Sequence, residues 1–157
     1  MAFSDILIVI KWWLMLFFIG GIFSPLTFFI FSNFFDRGYI FAKILGIAVL
    51  SYIVFVFGFL KIIPFETLNV FFILGIFFLL NTAIIKKKKL LSRINFKNLL
   101  PIILVEEFIF LGVLLFWSFI HAHQPEIHGL EKYMDYGFIN SILRAEYFPP
   151  KDMWLTP

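Results

Sequence analysis

The chain has 157 residues, of which 62% are hydrophobic, 22% aromatic and only 15% charged. Soluble domains carry about 25% charged residues, and a water-soluble domain this small has too little polar surface for so many apolar side chains. An ordinary soluble domain, a disordered chain and a collagen-like fibre are therefore excluded, and a bilayer is the expected solvent. There is no cysteine, which removes disulfides and thiolate metal sites. The net charge of +3 is unevenly spread.

About 20 apolar residues cross a membrane as a helix. The first expected span covers residues 8–31. Lys11 interrupts the apolar run at its start and no small-residue cleavage site follows, so it reads as a retained span rather than a signal peptide. Gly20, Gly21 and Pro25 lie inside it and predict a kink rather than a break. The second span covers residues 39–60. Its Ala42 and Gly46 stand four apart, with Ala48 and Ser51 nearby, and small residues let helices approach closely in lipid. The third span covers residues 65–85 and the fourth 99–120. The predicted architecture is an all-α polytopic membrane protein, with four spans followed by an extracytoplasmic segment, residues 121–157.

Lys86, Lys87, Lys88, Lys89, Arg93 and Lys97 form a basic cluster without an acid between spans three and four. By the positive-inside rule that loop is cytoplasmic. Alternation then places loop 32–38 inside, and the N-terminus, the loop near 61–64 and the C-terminal segment outside. The cluster alone is also what a nucleic-acid or anionic-lipid patch looks like. With apolar spans on both sides it reads as a topology signal, with membrane lipids as contacts and no nucleic acid as partner.

Glu106 and Glu107 fall inside span four, because the apolar stretch 108–120 is too short to cross alone. One reading places both at the cytoplasmic interface near Lys97 and Arg93. The other turns one of them toward a polar bundle interior, where intramembrane acids are usually functional.

The composition changes after His121. Residues 121–157 contain Glu126, Glu131, Asp135, Glu146 and Asp152, three bases and all three histidines. Leu130, Tyr133, Met134, Phe138, Ile142 and Leu143 recur at three- and four-residue steps. They predict an amphipathic helix over about 130–146, ended by Phe148-Pro149-Pro150. With little basic content, it is expected to dock on protein rather than lie on lipid. Glu131 and Asp135 are i,i+4 neighbours, a spacing at which like charges repel. Such a pair can be a solvated face, hold a divalent ion or include a general base. His121 and His123 point in different directions on a helix and make no i,i+4 metal pair. Trp154, with Tyr147 and Phe148, suits either a membrane boundary or the lining of a groove. No P-loop, GxGxxG, HExxH or GxSxG motif is present.

The order of residues in this segment resembles a known family. Pro125-Glu126-Ile127, Gly129, Glu131-Lys132, Met134-Asp135, Phe138 and Asn140 are followed by Arg144, Phe148-Pro149-Pro150, Asp152 and Trp154. This is similar to the pattern of the uncharacterised YYY-type membrane proteins of Chloroflexi and archaea. Asp36-Arg37-Gly38-Tyr39 and Glu107 with Phe110 also resemble it. Tyr133 and Met153 depart from it, standing where proline is common. The resemblance implies a relationship to the GT-C class of membrane glycosyltransferases, which use polyprenyl-phosphate sugar donors. It implies Asp135, with Glu131 second, as catalytic acid residues or as ligands of a divalent cation. Lys132 and Arg144 become candidates for donor phosphate, with Asp152 and Trp154 in the second motif. The family's tyrosine-rich stretch would follow Trp154. The expectation is therefore an N-terminal part of such an enzyme, lacking the C-terminal spans of the full-length chain. The alternative is a non-catalytic four-span scaffold or a lipid- or partner-binding protein.

Overall fold

The computed structural model describes residues 3–89, 92, 94–123, 130–152 and 154, without the side chains of Lys88, Leu130 and Glu131. It is all-helical over the described residues. The elements are α1 (Phe3–Ile30), α2 (Tyr39–Phe59), α3 (Thr67–Lys88), α4 (Phe96–Ala122) and α5 (Leu130–Arg144). Four of these, α1 to α4, are long and apolar enough to cross a membrane. Most of their large side chains are open to the surroundings, among them Trp12, Phe18, Phe71, Phe72, Phe108 and Phe116. A soluble protein would hide such residues, but lipid accepts them without cost.

The chain divides into two compact units. The first contains residues 1–48 and 76–124, and the second residues 49–75 and 125–157. Helices α2 and α3 each contribute one half to each unit.

In the first unit, α1 runs unbroken through Gly20, Gly21 and Pro25. Proline has no N–H for the carbonyl four residues earlier, which here belongs to Gly21. Ser24 repairs the loss, its hydroxyl donating to the Gly21 carbonyl at 2.9 Å. The turn after α1 is closed by Asp36, which is fully buried. Its carboxylate accepts from the N–H groups of Gly38 and Ile40, both at 3.0 Å, at the start of α2. A carboxylate there also complements the positive end of the helix dipole. Phe28, Tyr39, Ile94 and Leu99 form a buried cluster, with Ile85 and Ile103 against it. The turn before α2 and the segment before α4 therefore lie at one end of this unit. At Gly46, a Cβ would meet Ile19 Cγ2 at 2.7 Å and Phe23 Cδ2 at 2.9 Å. The small residues of α2 are thus what lets α1 pack closely on it, and Ala42 is fully buried nearby.

In the second unit, the chain between α2 and α3 is tied to the chain after α5. Phe65 donates its N–H to the Glu146 carbonyl at 2.7 Å, and Phe148 donates to the Gly58 carbonyl at 3.3 Å. The Phe148 ring lies 5.6 Å from Phe55 and 5.2 Å from Phe65, centroid to centroid. These two non-helical segments are therefore on the same side. The apolar face of α5 was expected to dock on protein. Instead Tyr133, Met134, Phe138 and Leu143 are all exposed, and only Ile142 is half-buried. An open apolar face on a helix with this pattern suits a bilayer surface better than a protein groove.

Candidate functional site

Two polar arrangements stand out, one in each unit. In the first unit, α4 carries Glu107, which is 5% exposed despite its charge. It forms a salt bridge with Lys43 of α2. The Tyr39 hydroxyl donates to the same carboxylate at 2.5 Å, and the Trp13 indole N–H of α1 donates to its other oxygen at 3.2 Å. Three helices thus converge on one carboxylate. The Lys43 ammonium also sits 4.6 Å from the Phe110 ring centroid and 5.3 Å from that of Tyr39. Aromatic faces stabilise a cation in place of water. Gly20 makes the route possible, because a Cβ there would meet Lys43 Cγ at 2.9 Å. Of the two sequence readings of Glu106-Glu107, the inward-facing one fits Glu107. The interfacial reading assumed Lys97 and Arg93 as partners. The partner is instead Lys43, 64 residues away in sequence, where no local spacing could show it.

In the second unit, a cleft of about 870 Å³ is lined by residues from α5, the segment after it and Lys61. Tyr136, Asn140 and Arg144 form one i,i+4 stripe of α5, and Gly137 and Ser141 the adjacent one. Lys61, Arg144 and Lys151 supply three cations, against two acids, Glu146 and Asp152. All three cations are exposed. Lys61 follows directly on α2, so the cleft opens where an apolar helix ends. The Ser141 hydroxyl donates to the Lys151 carbonyl, which fixes the tail against α5. Phe148 and Pro149 complete the wall. At Gly58 any side chain would collide with the Phe148 ring, so the missing Cβ sets the position of that wall.

The sequence-derived candidates separate accordingly. Arg144 and Asp152 line the cleft. Asp135 and Lys132 are exposed on α5 and do not line it. Trp154 is 70% exposed, and its N–H donates to Asp152 Oδ1 at 2.9 Å. The side chain of Glu131, the other candidate acid and metal ligand, lies outside the described residues. Among the described residues no group of three His, Asp or Glu side chains is placed to hold a metal ion. Lys61, Lys151, Tyr136, Asn140 and Ser141 were not anticipated. The polar face of the amphipathic pattern contained the signal for the last three, whereas Lys61 and Lys151 join the cleft only through the tertiary fold.

Chemically, the cleft offers cations, hydroxyls and an amide beside an aromatic wall. Charge-assisted hydrogen bonds from the cations can hold an anionic group there, beside the aromatic wall. Together with four apolar helices, this set of groups defines an integral, multi-pass membrane protein with a polar cleft at a helix end. The chain belongs to the uncharacterized membrane protein family DUF2298, whose sequence pattern it matches over residues 49–156, more than two-thirds of its length. The match contains nearly all of the second unit, and α4 with Glu106 and Glu107. No curated protein and no solved structure matches the chain.

Proposed function

We propose that the chain belongs to a GT-C-like membrane glycosyltransferase, and that the cleft of the second unit receives the phosphate of a polyprenyl-phosphate sugar. The observation that carries this reading is the convergence of Lys61, Arg144 and Lys151 on one cleft at the end of α2. In this reading Arg144 binds the donor phosphate, with Lys132, Asp152 and Trp154 around the donor. Asp135 takes the proton of the acceptor hydroxyl, with Glu131 as second acid or as co-ligand of a divalent cation. The acceptor oxygen attacks the anomeric carbon and the bond to the phosphate oxygen breaks. Polyprenyl phosphate leaves with its charge stabilised by the cleft cations. The N-terminus and the cleft are extracytoplasmic, and the loop from Lys86 to Lys97 is cytoplasmic, because its lysines hold that loop inside.

The second reading is a non-catalytic scaffold that holds a lipid headgroup in the same cleft. The observation in its favour is that Asp135 lies outside the cleft lining.

Two measurements separate them. Purified protein in nanodiscs is expected to retain polyprenyl phosphate, and Arg144→Ala to weaken retention about tenfold, equivalent to about 1.4 kcal/mol. In membranes of the native source, Asp135→Asn is expected to abolish sugar transfer from a polyprenyl-phosphate donor while expression is unchanged. Retention without any transfer selects the scaffold. Equal retention by wild type and Arg144→Ala removes the phosphate assignment from both readings.

A further inference from the structure

The first unit contains more buried acid than its ion pair uses. Asp36 and Glu107 are the carboxylates that act on Glu106, and Lys43 is the cation that acts on it, with the Tyr39 hydroxyl bound to Glu107. Asp36 is satisfied as an anion by the two backbone N–H groups at the start of α2. Glu107 is satisfied as an anion by Lys43, Tyr39 and Trp13. Glu106 differs from both. Its two carboxylate oxygens are buried, and neither has a hydrogen-bond partner among the described residues.

Asp36 and Glu107 each have donors for their charge, so an ionised Glu106 would add a buried negative charge that no hydrogen bond holds. A carboxylate whose oxygens are buried without a donor is costly as an anion, and taking up a proton removes that cost. The charge is relieved at the carboxylate with no donors, because neutralising either of the others would waste donors already in place. A proton needs one oxygen and no further ligands. A metal cation needs several, and the oxygens of Glu107 and Asp36 are already engaged by donors. Among the described residues no three acidic or histidine side chains are grouped closely enough to hold a metal ion. The ammonium of Lys43 would repel a second cation as well.

We propose that Glu106 is a proton-binding site within the membrane-spanning part of the first unit, beside a Lys43–Glu107 pair that keeps its charges. The proton is taken up from water onto one Glu106 oxygen and returned to water from it, so no other bond changes. This goes beyond the glycosyltransferase reading and does not depend on it. The neutral acid has an O–H that can donate inside the bilayer, which Glu107 as an anion cannot supply.

The test uses the whole chain in lipid nanodiscs and dicyclohexylcarbodiimide, which attacks protonated carboxyl groups in apolar surroundings. Peptide mapping is expected to show the adduct on Glu106 at neutral pH, with its loss as pH rises. Asp36 and Glu107 are expected to stay unmodified, and Glu106→Gln to fold normally with no adduct. Infrared spectra supply a readout independent of reagent access: a protonated-acid carbonyl band that Glu106→Gln deletes and Asp135→Asn retains. A wild-type spectrum without that band at neutral pH overturns the proposal. So does equal modification of Glu107, or protection of Glu106 by sodium at fixed pH, which would make it a sodium site.

Discussion

The two units handle their charged residues in opposite ways. In the first, Lys43 and Glu107 are drawn out of solvent, and Lys43, Tyr39 and Trp13 all donate to the carboxylate. In the second, Lys61, Arg144 and Lys151 stay exposed around an open cleft, with Glu146 and Asp152 on the same lining. Buried charge with full partnering is committed to structure or to an internal proton, because any change leaves an orphaned ion. Exposed charge on a cleft wall is free to exchange water for a ligand. The contrast teaches that charge in a membrane protein is informative through its partners rather than through its presence.

The largest expected effect tests the buried side of that contrast. Lys43→Ala leaves the Glu107 carboxylate buried without its cation, at a cost of about 3–5 kcal/mol. A lowered midpoint in thermal unfolding of the detergent-solubilised protein measures it. The double variant Lys43→Met, Glu107→Leu is expected to recover most of the loss, and an unchanged midpoint for Lys43→Ala would end the distinction between the units. Next comes Gly46→Leu. It drives a side chain into Ile19 and Phe23, with an expected loss of about 1–3 kcal/mol from overpacking in the same unfolding assay. On the exposed side the sizes fall. Lys61→Ala is expected to weaken retention of polyprenyl phosphate several-fold, yet to change stability by no more than about 0.5 kcal/mol. The smallest effect is that of salt. Raising ionic strength from about 0.1 M to 1 M shortens screening from about 10 Å to 3 Å, and should weaken retention in the cleft. The unfolding difference between wild type and Lys43→Ala should persist in the same salt, since buried pairs are screened far less.

Much of the fold was legible because long apolar runs have few alternatives. The four helices follow from them, although α1 begins at Phe3 and α4 at Phe96, each ahead of the expected span. Helix ends tolerate polar residues that a hydropathy reading trims away, here Asp5 and Lys97. The fifth helix was legible from its three- and four-residue steps, but its apolar face was assigned a protein partner and is open instead. The candidate site was legible only where its parts are close in sequence. Arg144 and Asp152 belong to one short segment, and both line the cleft. Lys61 lies just beyond the end of α2, far away in sequence. The Lys43–Glu107 pair was hidden for the same reason. The Lys43 stem runs to Glu107 past the bare backbone of Gly20.

That 64-residue separation has a consequence for biogenesis. The ribosome delivers α2 to the translocon well before α4, so Lys43 enters the membrane before its counter-ion has been made. At about 5–20 residues per second, the interval is roughly 3–13 s. During it Lys43, near the start of α2, is without the buried counter-ion it has in the finished fold. The Lys43–Glu107 pair can close only once the fourth helix has been made.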